Sequence, residues 1–276
     1  MKEDMMAKVY AKEYSSDELM IIEGSRYIKD TDTVVVGTGL PMAASMFAQK
    51  THAPNVNFVI ESGPVDPIFD TVPISVTDPN IMRKAVKLGA KREVLGCLVQ
   101  RGLVDIGFLG GAQIDQYGNI NSTYIGSPEN PKTRFPGSGG ANDIASNVPN
   151  ILIITRHEKR RFPPQVDFIT SPGYIDGSEG RTKNFMKVNK PDIILITDLA
   201  VMELDKSKGR LAITKLMPGV SVERVIENTG FVPEVASKVE EVEPPTDEEL
   251  RILREEVDKE GVYLKDSLKK GGGKAD

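Results

Sequence analysis

Short apolar runs rich in β-branched side chains recur along the chain, and segments with helical spacing of apolar residues separate them. Such runs predict buried strands, and the segments between them predict amphipathic helices. The predicted strands are residues 33–36, 57–60, 106–109, 150–155 and 193–197, with a further strand or hairpin near residues 201–214. The predicted helices are residues 17–27, 42–49, 80–88, 92–100 and 221–227. This alternation is typical of βαβ units, so we predict an α/β fold with a mostly parallel sheet flanked by helices.

Two helix starts are marked by a hydroxyl residue followed three positions later by glutamate. Ser15 with Glu18, and Thr246 with Glu249, have the spacing of a capping box. The second box opens an amphipathic segment whose apolar residues on one side are Leu250, Leu253 and Val257. We therefore predict a C-terminal helical extension.

A chain of 276 residues with 39% hydrophobic content can bury a full core, and it is long for one domain and short for two. We assign residues 15–265 to one large domain and residues 1–14 to an N-terminal extension. Residues 266–276 contain three consecutive glycines and are predicted to be a disordered tail. The formal net charge of −5 lacks the basic footprint of nucleic-acid binding.

The cysteine count and the N-terminus bear on the compartment. Cys97 is the single cysteine, which excludes an intrachain disulfide and fits a reducing cytoplasm. It lies in an apolar helical stretch, residues 94–99, and is interpreted as a buried core thiol. The N-terminus lacks the apolar region of a signal peptide, and no apolar run approaches the roughly 20 residues that span a bilayer. We expect a cytoplasmic protein with no membrane partner.

Glu61 is the most informative candidate for chemistry. It follows the apolar strand 57–60 directly and precedes the turn Ser62-Gly63-Pro64. A charged group at a buried position is costly unless it is paired, and α/β proteins place their chemistry at strand ends. A glutamate at this position can be a nucleophile, a base or a metal ligand.

The turn Gly37-Thr38-Gly39 joins a predicted strand to a predicted helix, which has Pro41 in its first turn. Backbone amides at such a turn can bind an anion. The turn lacks the third glycine of a dinucleotide fingerprint and the Gly-Lys-Ser/Thr of a P-loop. A purely structural tight turn is the favoured alternative.

Two further glycine-rich loops are candidates for anion binding. Gly110, Gly111 and Gln113 follow the strand 106–109 and can form a nest of amides, or simply a long structural loop. The segment 134–145 contains Gly139, Gly140, Ala141 and Asn142, a possible oxyanion or phosphate cradle. Long ordered loops in compact domains are often functional.

Residues 155–162 form a compact basic segment that could meet phosphates or could be a solvated or interfacial ion-pair cluster, which is the favoured interpretation. His157 and His52 are the two histidines, and neither has the partner spacing of a metal site. We therefore predict no metal. No Gly-x-Ser-x-Gly elbow supports a serine nucleophile.

Taken in order, several of these motifs resemble the class I coenzyme A (CoA) transferases, and among them the β subunits of the glutaconate CoA-transferase type. The resemblance extends from about residue 15 to residue 265. The segments that carry it are residues 36–41, 59–63, 110–126, 131–135, 137–142, 157–162, 170–173 and 228–231.

The resemblance implies functions for several of these segments. The glutamate of the family's Glu-[Ser/Asn]-Gly motif is its nucleophile, and the matching residue is Glu61. The implied reaction is a ping-pong transfer through a glutamyl-CoA thioester. The glycine segment implies oxyanion or CoA contacts from Gly139, Gly140, Ala141 and Asn142, with Gly140 and Ala141 as amide donors. Possible roles in positioning substrate or a turn fall to Gly37, Thr38, Gly39, Ser62, Gly63, Gly110, Gly111 and Gln113.

The resemblance also implies the partners. The expected partner is a homologous α subunit, and the expected substrates are an acyl-CoA and a small carboxylic or dicarboxylic acid. CoA is then a substrate, and no permanently bound cofactor is expected. Two alternatives stay open: a CoA-ester hydrolase or carbon–carbon lyase on the same scaffold, with Glu61 as a base, and a non-catalytic effector-binding module.

Overall fold

The computed structural model describes residues 8–75 and 78–264. It contains one ten-stranded sheet and two small two-stranded sheets. The strands are β1 (Thr33–Val36), β2 (Asn57–Ile60), β3 (Pro64–Val65), β4 (Lys87–Leu88), β5 (Ile106–Leu109), β6 (Gln113–Ile114), β7 (Ile120–Asn121), β8 (Tyr124–Gly126), β9 (Pro131–Arg134), β10 (Asn150–Ile154), β11 (Asp192–Ile196), β12 (Ala200–Asp205), β13 (Arg210–Leu216) and β14 (Glu234–Glu241).

Among the described residues, six α-helices and four 3₁₀- or π-helical segments accompany this sheet. The α-helices are α1 (Ser16–Ser25), α2 (Leu40–Lys50), α3 (Ala141–Asn147), α4 (Gly180–Lys183), α5 (Val222–Glu227) and α6 (Asp247–Ile252). The other helical segments are 3₁₀ helices at Pro79–Met82 and Lys159–Arg161 and π-helices at Glu93–Val99 and Leu253–Val257. Within the described ranges, none of the helices has the length and apolar character of a membrane span.

The strand order of the main sheet is β14-β13-β12-β11-β10-β5-β1-β2-β3-β4. The five central strands from β11 to β2 are all parallel, and β12, β3 and β4 pair with their inner neighbours in the antiparallel direction. The small sheets pair β6 with β7 and β8 with β9. The predicted mostly parallel α/β sheet with flanking helices is confirmed.

The central strands are buried on both faces, which explains their continuous apolar runs. In β1, Val34 and Val36 belong to the core beneath α1, α2 and α6. The intervening Val35 belongs to the second core, beneath α3 and the Glu93–Val99 π-helix. This alternation follows from the two-residue period of a strand.

The strand order reverses beside β1. The chain passes from β1 through α2 to β2, and later continues at β5 on the opposite side of β1. Because β1, β2 and β5 are parallel, their carboxyl ends meet at one edge of the sheet, where Gly37, Glu61 and Gly110 follow them. Open α/β sheets bind ligands in the crevice at such a reversal.

The helix starts predicted from capping boxes are confirmed. The Ser15 hydroxyl accepts the Glu18 N–H while the Glu18 carboxylate accepts the Ser15 N–H, and Thr246 and Glu249 repeat this arrangement. The C-terminal helical extension is also confirmed, and its three predicted apolar residues are buried. The predicted tail, residues 266–276, lies outside the described residues.

Two predictions in one region of the sequence are wrong. The helix predicted at residues 80–88 is a single 3₁₀ turn, after which Lys84 has a φ of +57° and Leu88 pairs with β3. Cys97 is exposed rather than a core thiol. Its helix is a π-helix, in which residues five apart share a face, so Val94 and Val99 are buried and Cys97 points outward.

Candidate active site

Glu61 lies at the carboxyl end of β2 and keeps 25% of its side chain exposed. The Gly140 N–H donates a hydrogen bond to Glu61 Oε1 at 3.1 Å. The ammonium group of Lys91 contacts the same oxygen in an ion pair. The carboxylate is therefore accessible, and it is held in place by one amide donor and one cation.

Glycine at position 140 is what lets the backbone approach Glu61. A Cβ atom at this position would lie 2.9 Å from Glu61 Cδ and 3.0 Å from both terminal methyls of Leu95. The preceding Gly139 has a φ of +50°, in the left-handed region that favours glycine. The two glycines thus turn the chain into α3 directly against the carboxylate.

A second pair of glycines brings Lys91 to Glu61. Gly63 has a φ of +131°, and a Cβ there would lie 2.0 Å from the Gly89 carbonyl oxygen. The Gly89 N–H donates to the Gly63 carbonyl at 3.1 Å, so the two segments run in close contact. Lys91 follows two residues later. Sequence analysis missed Lys91 because no local pattern links it to the Glu61 turn.

A cavity of about 180 Å³ opens beside the Glu61 carboxylate. Its walls come from the ends of β1 and β5 and from α3, and they include Gly37, Gly110 and Ala141. Most of the remaining lining is apolar, from valine, phenylalanine, leucine and isoleucine side chains. A small group bound there would be partly shielded from water.

The Gly37-Thr38-Gly39 turn is only partly available for a ligand. Gly39 has a φ of +96°, and its N–H donates to the Tyr263 hydroxyl at 2.9 Å. Tyr263 in turn donates to the Pro73 carbonyl at 2.7 Å. Thr38 is half-buried beside it, and Gly37 reaches the Glu61 cavity. The tight-turn interpretation describes Gly39 well.

In the Gly110 loop, the polar side chain predicted for binding is used internally. Gln113 is buried, and its side-chain oxygen accepts from Asn121 Nδ2 at 2.7 Å and from the Asp167 N–H at 3.0 Å. Gly111 is required for packing, because a Cβ there would lie 2.3 Å from an Ile120 methyl carbon. Gln113 thus positions the loop, while Gly110 lines the Glu61 cavity.

Of the expected amide donors, Gly140 reaches Glu61 and Ala141 does not. The Ala141 N–H already donates to the Ser138 carbonyl at 2.9 Å, within the turn that starts α3. The Asn142 side chain donates to the Thr170 carbonyl at 3.0 Å, which ties α3 to a neighbouring loop. Ser62 Oγ is buried and has no hydrogen-bond partner among the described residues.

His157 is buried, and its two ring nitrogens lie 3.0 Å from Thr197 Oγ1 and 2.9 Å from Thr229 Oγ1. Burial lowers the pKa of His157 to about 4, so the ring is neutral at pH 7. Through these contacts His157 links the segment after β10 to the segment after β11 and to the end of α5. No cluster of three or more potential metal ligands occurs in residues 8–75 and 78–264.

The basic segment forms ion pairs, in accord with its favoured interpretation. Arg156 pairs with Asp17 and Asp198, and Arg160 pairs with Glu158. Arg161 lies farther from Glu158, with 3.6 Å between its Nε and the carboxylate Oε2.

Comparison with known proteins identifies the family. The family model described as Coenzyme A transferase matches residues 18–228. The chain belongs to the coenzyme A transferase family. The family and the enzyme class expected from the sequence motifs, a CoA-transferase, are confirmed.

Individual relatives match over nearly their whole length. The chain is 39% identical over 241 residues to the B subunit of 3-oxoadipate CoA-transferase of Pseudomonas knackmussii, covering 87% of this chain and 92% of the relative. It is 38% identical over 255 residues to the B subunit of glutaconate CoA-transferase of Acidaminococcus fermentans, covering 91% and 95%. These matches confirm the expected similarity to the second subunits of such transferases.

The structural matches agree with the sequence matches. The crystal structure of glutaconate coenzyme A-transferase from Acidaminococcus fermentans matches with a TM-score of 0.86 and 37% identity, covering 93% of this chain and 99% of that chain. The decarboxylase AibA/AibB matches with a TM-score of 0.78 and 25% identity, covering 91% and 97%.

Proposed function

We propose that this chain is the B-type component of a heteromeric CoA-transferase and that Glu61 is its nucleophile. The reaction moves CoA from an acyl-CoA donor to a small carboxylic or dicarboxylic acid by a ping-pong mechanism. The observation that carries the proposal is the Glu61 carboxylate, which borders a cavity while the Gly140 N–H donates to one of its oxygens. Residues 15–265 form the transferase domain in this proposal.

The first half-reaction begins when a Glu61 oxygen attacks the thioester carbonyl of the donor. The carbon–sulfur bond breaks, leaving an acyl-glutamyl anhydride and CoA thiolate. The thiolate then attacks the glutamyl carbonyl carbon, which releases the donor acid and leaves a Glu61–CoA thioester. An acceptor acid reverses these steps and leaves as the new acyl-CoA. A carboxylate needs no separate base to act in this way, in contrast to a serine hydroxyl.

The Gly140 amide has a defined part in this scheme. Each attack on the glutamyl carbonyl develops negative charge on its oxygen, and a fixed N–H donor at that position is typically worth about 3–4 kcal/mol. Glu61 Oε1 already accepts from Gly140, so we assign Oε1 to the carbonyl oxygen of the thioester and Oε2 to the attacking oxygen. Gly139 and Asn142 shape the turn that holds this amide.

Lys91 has a part in the second half-reaction. In the resting enzyme the Glu61 carboxylate pairs with Lys91 and would repel a second carboxylate. Once Glu61 is a thioester it is uncharged, and Lys91 loses its partner. We assign Lys91 to attract the acceptor carboxylate at that stage. The resting Lys91–Glu61 contact supports this role.

The reactive intermediates need protection from water, since anhydrides and thioesters hydrolyse. Glu61 is 25% exposed in the single chain, so the cover must come from elsewhere. We propose a homologous α subunit as that cover, in line with the names of the relatives, which describe them as subunits of larger enzymes. CoA acts as a substrate in this scheme rather than as a bound cofactor, and a cytoplasmic location stays a prediction.

The proposal is tested by trapping the covalent intermediate. The chain is purified with its partner subunit, incubated with acetyl-CoA without an acceptor acid, and analysed by intact mass and peptide mapping. We expect CoA to be attached at Glu61 and the Glu61→Gln variant to remain unmodified. An active complex that never forms this adduct would contradict the proposal.

A second candidate is a CoA-ester hydrolase or carbon–carbon lyase in which Glu61 acts as a base. This candidate is retained because the chain is similar to the decarboxylase AibA/AibB, which has the same fold and a different reaction. The two candidates differ in their need for an acceptor, since a hydrolase or lyase converts its CoA ester without a second acid. Turnover of acyl-CoA that is independent of added carboxylate would favour the second candidate.

A further inference from the structure

A second, larger cavity of about 670 Å³ lies at the loop that follows β5. Gly110 lines the Glu61 cavity, and the adjoining Gly111 lines the larger one. Pro136 lines the larger cavity, and Ala141, five residues later, lines the Glu61 cavity. The same two chain segments therefore contribute to both cavities.

Arg161 lines the larger cavity with an incompletely satisfied guanidinium group. Its Nη1 donates to the Gly111 carbonyl at a long 3.4 Å, and its Nε is buried without a hydrogen-bond partner among the described residues. The nearest carboxylate oxygen, on Glu158, is 3.6 Å from Nε and already accepts from Arg160 at 2.6 Å. Arginine has five N–H donors and buried donors are normally paired, so this group has capacity for an acceptor.

Two other polar residues of the wall, Gln113 and Arg160, are less suited to bind an anion. The amide nitrogen of Gln113 already donates to Asp167. Arg160 also lines the cavity, but its side chain is 80% exposed and pairs with Glu158. Arg161 is therefore the better-placed cation, because a partly buried charge is less screened by water than an exposed one.

The apolar part of the wall indicates what kind of acceptor fits. Ile125, Phe135 and Pro136 give the cavity a largely apolar surface. A wall with a large apolar part that also carries a guanidinium suits a carbon chain that ends in a carboxylate, which arginine can bind with two parallel hydrogen bonds.

We propose that this cavity binds the non-reacting end of a dicarboxylic acid and that Arg161 pairs with its distal carboxylate. The assignment rests on the proposed function, because the other carboxyl group of the acid must react at Glu61. A CoA phosphate is the competing source of negative charge, and a comparison of acceptor acids with acyl-CoA separates the two.

The test measures transfer from acetyl-CoA by the complex with its partner subunit. The acceptors are succinate, glutarate and adipate, each compared with the monocarboxylate of the same carbon number. We expect Arg161→Met to lower kcat/KM for the preferred dicarboxylate by about 10- to 100-fold, the loss of a charge-assisted contact. The values for monocarboxylates and the KM for acetyl-CoA should change less than about threefold.

Two further variants complete the design. Arg161→Lys keeps the charge but loses the planar fork, so an intermediate loss is expected. Arg224→Met removes an exposed arginine on α5 that lines neither cavity, and it should behave like the wild-type protein. The thermal unfolding midpoint of each complex shows whether the variant is folded.

Three results would overturn the assignment while leaving the proposed function intact. They are a wild-type preference for monocarboxylates, an equal effect of Arg161→Met on both acid series, and a rise in the KM for acetyl-CoA with kcat/KM for the diacid unchanged. The last result would assign Arg161 to a CoA phosphate. Transfer that persists in Glu61→Gln would instead refute the proposed function, and this assignment with it.

Discussion

The Gly140 amide nitrogen lies 3.1 Å from Glu61 Oε1, although the two residues are 79 positions apart in the chain. The contact depends on the absence of a side chain at position 140 and on the turn at Gly139 that starts α3. It joins a strand end to a glycine loop across the reversal point of the sheet. The carboxylate and an amide donor are thereby brought together before any substrate binds.

Replacing Gly140 with alanine should impair transfer with little effect on folding. The new Cβ would lie 2.9 Å from Glu61 Cδ, so the carboxylate must move, and a misplacement of about 1 Å can cost about 100-fold in rate. The measurement is kcat for CoA transfer, with the unfolding midpoint recorded alongside. Gly96→Ala is the matched control, because a Cβ there meets nothing closer than 3.9 Å. Near-normal turnover by Gly140→Ala would show that this contact is unimportant.

Shortening the nucleophile should have a comparable effect. In Glu61→Asp the attacking oxygen retreats by about 1 Å from its position beside the cavity, and we expect a loss of about 100-fold in kcat. The rate of CoA adduct formation, followed by intact mass, should fall in parallel. If the aspartate variant transferred CoA at the wild-type rate, a nucleophilic role for this carboxylate would be excluded.

Lys91→Met should weaken the use of the acceptor acid more than the use of acyl-CoA. Its partner Glu61 is an anion only before the thioester forms, so we expect the KM for the acid to rise by about tenfold. The half-exposed ion pair contributes little to folding, and the unfolding free energy should change by less than about 1 kcal/mol. Lys87→Met, which breaks the nearby Lys87–Glu93 pair, is the control and should leave the KM unchanged. A similar rise in both variants would assign the effect to general charge.

His157 should make the folded chain sensitive to mild acid. Burial lowers its pKa to about 4, below the value near 6.5 expected in the unfolded chain, so the unfolded chain binds the proton first as the pH falls. Neutral His157 therefore contributes up to ~3 kcal/mol to the stability of the folded chain above about pH 6.5. This contribution is lost as the pH falls from there to about 4. Denaturant unfolding at several pH values measures it.

Two variants test the assignment to His157. His157→Gln cannot titrate in this range and should show a flatter dependence of unfolding free energy on pH. Thr229→Val removes the hydroxyl at 2.9 Å from His157 Nε2 and should lower stability at every pH without flattening the curve. A pH dependence that is unchanged in His157→Gln would place the titrating group elsewhere.

Much of the fold could be predicted because its signals are local. The strand at residues 33–36 has the predicted limits, since a β-branched run buried on both faces has no competing structure. The helix expected at residues 80–88 failed because the antiparallel pairing of Leu88 with β3 overrides a weak local preference. The prediction of a buried Cys97 is wrong because this residue lies in a π-helix, which turns its side chain outward. A 3.6-residue spacing does not reveal a π-helix.

The sequence by itself determined the α/β class, the positions of most elements and the glutamate at a strand end, because apolar periodicity, capping boxes and an ordered set of motifs are written in neighbouring residues. Only the tertiary structure decided what surrounds that glutamate: the amide of Gly140, the cation of Lys91 and the larger cavity that Arg161 lines. These contacts join segments that are remote in the chain. They depend on the order in which strands pair and on close backbone contacts at glycines. Both are fixed together when the whole sheet is buried.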